Sequence, residues 1–410
     1  MSAPARIAGC EVCGNGSLVP VLDLGSHPLC DDLVPVGDPR VCAEYPIEIM
    51  HCARCVTAHQ RFQVPKRELF PSTYHYRSRF TADVLKGMEA LAEAVVARTG
   101  SLAGKTVLDV GCNDGSLLDF FKARGARTAG IEPTGAYRDA LGRGHDIVNG
   151  FFSPESAADL ARRHGSPDVI TFTNVFAHIE DLPALLESLR ALMSPTTLLV
   201  IENHYLGAVL ERFQFDTFYH EHPRTYSLTS FVRIAQSLGV GIAGVEFPAR
   251  YGGNIRVFLG GPPAANGAAV AEALPREARF GERLAAMQPL VGAWRDNMRE
   301  RIDALVARHG PLRAKAFPGR AAILVKLLRL DTRQVCAVYE KPGSMKIGHY
   351  VPGTRIPIKS DDENTLLADV PVILNLAWHI SAEIEAYLRK AGFRGEMVDI
   401  LDPRDFGAAS

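Results

Sequence analysis

Apolar positions along the chain recur at two alternating periods. Between 81 and 98, Val84, Leu85, Met88, Leu91 and Val95 share one side of a 3.6-residue repeat, which predicts an amphipathic helix. An apolar run at 105–110 follows, then a glycine turn and a second helical stretch. Further runs at 126–131, 146–152, 168–173 and 197–202 predict four more strands, with helical stretches between them. This β–α alternation is the pattern of a doubly wound parallel sheet. Residues 264–308 are rich in alanine and arginine, with few breakers after Pro275, and predict one or two long helices. A second β–α pattern closes the chain, with strands at 313–317, 334–339, 370–374 and 396–401 and helices at 320–330 and 381–390. The first segment differs. Pro28, Pro35, Pro39 and Pro46 punctuate it and predict loop and short strands. The fold class is therefore α/β, in three parts: a small module at 1–68, a Rossmann-like domain at 69–262 and a second Rossmann-like domain at 263–410.

Cysteine placement changes the picture of the first part. Cys10 and Cys13 form one CxxC pair, and Cys52 and Cys55 form another. Two such turns supply the four thiolates of a closed tetrahedral zinc shell, which predicts a structural ion with no open position. His51 adjoins Cys52, but its side chain is expected to project away from the knuckle; Cys30 and Cys42 read as core thiols. Charge excludes little but points one way. The 45 basic and 46 acidic residues balance, without the basic stripe that binds a polyanion, so no nucleic-acid partner is expected. Residues Met1 to Ala8 lack an apolar signal core, and no run reaches the ~18–20 apolar residues of a membrane span. A cytoplasmic protein, monomeric or weakly dimeric and without a membrane partner, is expected.

The turn at 109–115 reads DVGCNDG from Asp109. Gly111 and Gly115 let backbone pass close to a ligand, while Asp109 and Asp114 bring negative charge to it. A dinucleotide pyrophosphate wants bare N–H groups there, whereas carboxylates suit the amino and sulfonium cations of S-adenosylmethionine. Glu132, at the tip of the second strand, is placed to take both hydroxyls of a ribose. Asn113, Phe152 and Asn174 complete the expected cofactor edge. This combination resembles the class I methyltransferase fold.

Titratable groups crowd two segments. Tyr74, Tyr76 and Arg79 precede the first helix, and Tyr219, His220, Glu221 and His222 follow the fifth strand. Such packing is poor core design, because each buried polar group demands a partner. A histidine there is a natural base, with a reference pKa of ~6.5.

Taken in order, the CxxC pairs, DVGCNDG, the segment 214–222 (QFDTFYHEH), YGGNIRV at 251–257 and KIGHYVPGTRIPI at 346–358 resemble the zinc-containing nucleotide-sugar 3-C-methyltransferases. The resemblance implies a nucleoside-diphosphate 4-keto-6-deoxyhexose as substrate, methylated through an enolate on the carbon beside the ketone. It makes His222 the base, places Tyr219 with Tyr76 or Tyr74 at the keto oxygen, and sets His178 near the reacting face, with His220 and Glu221 in the same cluster. The last domain would complete the sugar-nucleotide site, with Lys346, His349 and Arg355 toward the diphosphate and Asn203 and Arg79 as further substrate contacts. The chain departs from the family at Pro318-Gly319-Arg320, where a Gly-Ala turn followed by a lysine is expected, and at Glu340, where an aspartate is expected. An RNA base methyltransferase, a sugar O-methyltransferase and a non-catalytic zinc scaffold are the competing readings; balanced charge counts against the first and the intact DVGCNDG turn against the last.

Overall fold

The computed structural model describes residues 4–70, 77–80, 82–261, 267–363 and 367–407; Tyr74 and Tyr76 lie outside them. The chain forms three units around one cavity.

The first unit is an antiparallel sheet of β1 (Val19–Pro28), β2 (Glu44–Cys52) and β3 (Thr57–Gln60). Ten- and nine-residue strands replace the short ones that the prolines predicted. Position explains their tolerance: Pro20 and Pro28 sit on the edge strand β1, and Pro46 lies where β2 has outrun β3, which pairs only with Ile49–Cys52. The outer neighbour of β3 is borrowed from the middle of the chain, the two-residue strand Arg224–Thr225.

The second unit is a seven-stranded sheet of β4 (Thr106–Val110), β5 (Arg127–Ile131), β6 (Asp146–Val148), β7 (Val169–Thr173), β8 (Leu198–His204), β9 (Ile242–Glu246) and β10 (Asn254–Gly260). Its order is β6-β5-β4-β7-β8-β10-β9, parallel except for β10, which runs against both neighbours. The order reverses between β4 and β7, and ligands of doubly wound sheets collect outside the carboxyl ends at that point. The predicted helix spans Ala82–Thr99 and buries Val84, Met88, Leu91 and Val95. The expected third strand stops at Val148, freeing Phe151 and Phe152 to line the cavity.

The third unit has five parallel strands in the order β13-β12-β11-β14-β15: β11 (Leu312–Lys315), β12 (Val335–Glu340), β13 (Ile358–Ser360), β14 (Val372–Asn375) and β15 (Glu396–Asp399). The alanine-rich stretch is two helices. Gly267–Glu277 packs on β9 and the helix Leu228–Leu238, within the second unit. Phe280–His309 is a 30-residue strut against β1 and β11, and it buries Trp294, Met298, Ile302 and Leu305 in a core shared by the first and third units and by Phe215 and Phe218.

Candidate active site

Four thiols meet at the open end of the first sheet. Cys10 Sγ lies 3.4 Å from Cys55 Sγ and Cys13 Sγ 3.6 Å from Cys52 Sγ, and all four fall within 4.8 Å of one another. A zinc ion with bonds of ~2.3 Å needs sulfurs about 3.8 Å apart, so the donor set fits zinc. Asn15 Nδ2 donates to Cys52 Sγ at 3.6 Å, and Thr57 Oγ1 lies 3.0 Å from Cys55 Sγ, contacts that orient these two sulfurs toward a shared ion. Among the described residues this is the one cluster able to hold a metal. His51 is buried outside it, its ring against Gly281.

The main cavity, about 1330 Å³, is walled by all three units. Its cofactor edge is built at the carboxyl ends of β4, β5 and β7. Gly111 adopts φ 72°, and a Cβ there would come within 2.5 Å of a Val175 methyl, so the turn requires glycine. Burial pushes the pKa of Asp109 up to about 7, and Thr171 Oγ1 donates to its carboxylate at 2.6 Å. Glu132 Oε1 accepts from Thr134 N at 2.8 Å and Thr134 Oγ1 at 2.5 Å, and its Oε2 accepts from Asn113 N at 2.9 Å. That occupies three of a carboxylate's roughly four lone-pair positions. One bond to a ribose hydroxyl, not the expected two, is available unless Thr134 turns away. Phe152 and Asn174 also line this edge, and Asn254 Nδ2 donates to Asn174 Oδ1 at 3.3 Å. Acids near a cation, an aromatic wall and a glycine cradle fit S-adenosylmethionine.

Two expected cofactor contacts are corrected. Asp114 is fully buried away from the cavity: its Oδ1 accepts from Ser116 N and Oγ, and its Oδ2 accepts from Arg79 N at 3.0 Å. Gly115 caps the helix Ser116–Lys122 at φ 79°, against His145 and Ala140. Together with Asn113, whose Oδ1 accepts from Ser78 N at 3.0 Å, Asp114 clamps the segment before the first helix onto the turn.

Another part of the wall carries Tyr219, Glu221 and His222 from the segment 214–222. His222 Nδ1 donates to Thr217 O at 2.9 Å, which places the ring proton on Nδ1 and leaves Nε2 bare on a cavity-lining ring. Its ring stands 4.3 Å from Tyr219, 4.8 Å from His178 and 5.5 Å from His204. Burial, with His178 and His204 nearby, holds His222 well below the usual histidine range. Burial likewise lowers His178 to about 4 and, helped by Arg320, His204 to about 3. His178 Nδ1 donates to Glu221 O at 2.7 Å. The Tyr219 hydroxyl is pushed well up by burial and stays protonated; Glu221 is raised by burial and by Asp31, against Lys346. Asn203, 1% exposed at the end of β8, lines the cavity with neither Oδ1 nor Nδ2 partnered among the described residues.

Three expectations change here. His220 turns out of the cavity and donates from Nε2 to Tyr45 O at 3.0 Å. Arg79 pairs with Asp139 at 3.3 Å outside the cavity wall, which holds Arg77 instead. Arg355 donates to the carbonyls of Asp38, Pro39 and Arg40 at 2.7–3.0 Å, joining the first and third units rather than facing a ligand. Lys346 and His349 do line the cavity, although Lys346 Nζ already donates to Phe317 O at 2.7 Å. Sequence reasoning missed His204, Asp31 and Arg320. Arg320 donates from Nε and Nη2 to Asp216 at 2.8 and 2.6 Å, and Trp378 Nε1 reaches the same carboxylate at 2.9 Å. The acid–base pair is 104 residues apart, so no local signal reveals it. Glu340 Oε1 accepts from Phe317 N at 2.5 Å, as Glu132 accepts from Asn113 N; the third unit thus repeats the acid-to-turn bond of the second.

Three family models match the chain in order: a zinc binding domain over residues 10–70, a methyltransferase domain over 83–242 and a C-methyltransferase C-terminal domain over 249–398. C-methyltransferase NovU of Streptomyces niveus is 29% identical over 98% of this chain and 97% of its own length. Ubiquinone biosynthesis O-methyltransferase of Sodalis glossinidius is 28% identical over 35% of this chain and 61% of its own. Among solved structures, magnesium protoporphyrin IX methyltransferase of Synechocystis is 19% identical over 43% of this chain and 83% of that one, with a TM-score of 0.34. No helix among the described residues is long and apolar enough to cross a membrane.

Proposed function

Because this chain belongs to the zinc-containing, S-adenosylmethionine-dependent C-methyltransferases, we propose that it methylates C-3, beside the ketone, of a nucleoside-diphosphate 4-keto-deoxysugar through an enolate. The observation that carries this reading is the bare Nε2 of His222 on the cavity wall, its tautomer held by Thr217. Transfer to carbon needs a base; a neutral histidine kept from protonation by burial is available at working pH. His222 Nε2 takes the proton on the carbon beside the ketone, and the C–H electron pair moves into the enolate. The Tyr219 hydroxyl, still protonated, donates to the developing oxyanion, and Asn203 Nδ2 offers a second donor with no acceptor among the described residues. Bound S-adenosylmethionine supplies an electrophilic methyl group. The enolate carbon is the nucleophile toward it.

Size supports two ligands. Single-ligand pockets run to about 300–1000 Å³, and this cavity exceeds them. Lys346, His349 and Glu340 on the third unit's wall suit the diphosphate and ribose of a nucleotide sugar. Nucleic acid and membrane partners have no part in this reading. A panel of nucleotide 4-ketosugars, analysed by mass spectrometry and NMR, tests it. One of them should gain a methyl group on the carbon beside the ketone. A methyl on oxygen, or methylation of RNA instead, would refute it.

A further inference from the structure

The zinc module does more than fold. Among the described residues, several ties on the catalytic segment come from this module. Gln60 N donates to Pro223 O at 2.8 Å, and Gln60 Nε2 donates to Tyr219 O at 3.3 Å, so one residue grips the chain on both sides of His222. His220 is held on Tyr45 O, and Arg224 and Thr225 pair with His59 and Ala58 of β3. Beneath them lies an ion pair. Arg224 is 0% exposed, and its Nη1 donates at 2.5 Å to Oε2 of Glu11, one of the two residues between the zinc ligands Cys10 and Cys13. Glu11 Oε2 also accepts from Gln63 Nε2 at 2.8 Å, and Arg224 Nε donates to Tyr226 Oη at 3.0 Å.

A buried ion pair is a poor source of stability, because the desolvation of both charges offsets their attraction. What it fixes is geometry. Arg224 follows His222 by two residues, and the bond from His222 to Thr217 closes the loop from the other side, next to the Asp216–Arg320 pair. We propose that Glu11 and Gln60 are positioning residues for the base: the zinc knuckle sets the depth of His222 in the cavity through Arg224 and Pro223. This rests on the reading of His222 as the base. Proton abstraction is steep in distance, and misplacement of a reacting group by about 1 Å can cost 10²-fold.

The test uses the full chain with Gln60→Leu and Glu11→Gln. Gln60→Leu leaves the knuckle and its ion pair whole, so it keeps the test open if Glu11→Gln does not fold. Zinc content, S-adenosylmethionine affinity, kcat, KM and solvent deuterium exchange beside the ketone are measured on a thymidine diphosphate 4-keto-6-deoxyhexose, with His222→Ala alongside. The expected result is unchanged zinc, cofactor affinity and KM, with kcat and exchange falling together by roughly 10–100-fold. Glu11→Asp, which keeps the charge, should recover part of the loss. A folded Gln60→Leu that exchanges at the wild-type rate, while His222→Ala does not, overturns the positioning role. So does a loss of exchange matched by an equal loss of cofactor affinity. Wild-type exchange by His222→Ala itself overturns the base instead.

Discussion

Two histidines two residues apart have opposite orientations, and backbone carbonyls decide which faces the cavity. Thr217 O takes the Nδ1 proton of His222 and leaves Nε2 to the cavity, while Tyr45 O takes the Nε2 proton of His220 and turns that ring away. His222→Ala should therefore cost roughly 10²–10⁴-fold in turnover with cofactor affinity intact, whereas His220→Ala should lose stability first; steady-state kinetics beside calorimetry checks both. The pH profile follows from burial. If His222 is the base it must be neutral, and burial holds its pKa well below 6.5, so the acid limb of kcat/KM should fall well below that value; a limb centred at 6.5 or above would count against His222 as the base. The same shift means that the unfolded chain binds a proton below pH 6.5 which the folded one refuses, so this group's contribution to stability falls as the pH drops through that range. At the cofactor edge, Glu132→Ala removes a charged acceptor and should weaken S-adenosylmethionine binding by roughly 1.5–3 kcal/mol in calorimetry. The sequence pointed to His222, Tyr219, Glu132 and Gly111 because motif and strand tip place them together. It misplaced Arg79 and Arg355 because a long cation's partner is chosen by tertiary packing, here Asp139 and three backbone carbonyls.

Elements were legible where periodicity is strong. The helix over Ala82–Thr99 and the strands β4, β5, β7 and β8 fall within a few residues of their apolar runs. Prolines concealed β1 and β2, since a proline on an edge strand reads locally like one in a loop. The three-residue β13 was missed for lack of length. Gly267–Glu277 packs on the second unit's sheet, which alanine-rich composition could not foretell. In the first unit, folding and metal are coupled. Cys10→Ser breaks a closed four-sulfur shell, so metal analysis should find well under one zinc per chain and thermal melting should show an early transition of residues near β1–β3.

The whole molecule is organised around a cavity that no single unit completes. The second unit brings the cofactor edge, the first brings Asp31 and the ties behind His222, and the third brings Arg320, Lys346 and His349. Asp216 joins the second to the third by accepting from both Arg320 and Trp378. Asp216→Asn leaves a buried guanidinium without its counter-charge and should destabilise the protein by about 3–5 kcal/mol, read as a loss in chemical denaturation. On the proposed reading, the cavity makes an enolate with His222 as its base. The direct measurement is NMR of the hydrogen beside the ketone of a nucleotide 4-ketosugar in deuterated water, with S-adenosylhomocysteine in place of the methyl donor. Wild-type protein should replace that hydrogen with deuterium and His222→Ala should not; exchange at equal rates in both would exclude His222 as the base.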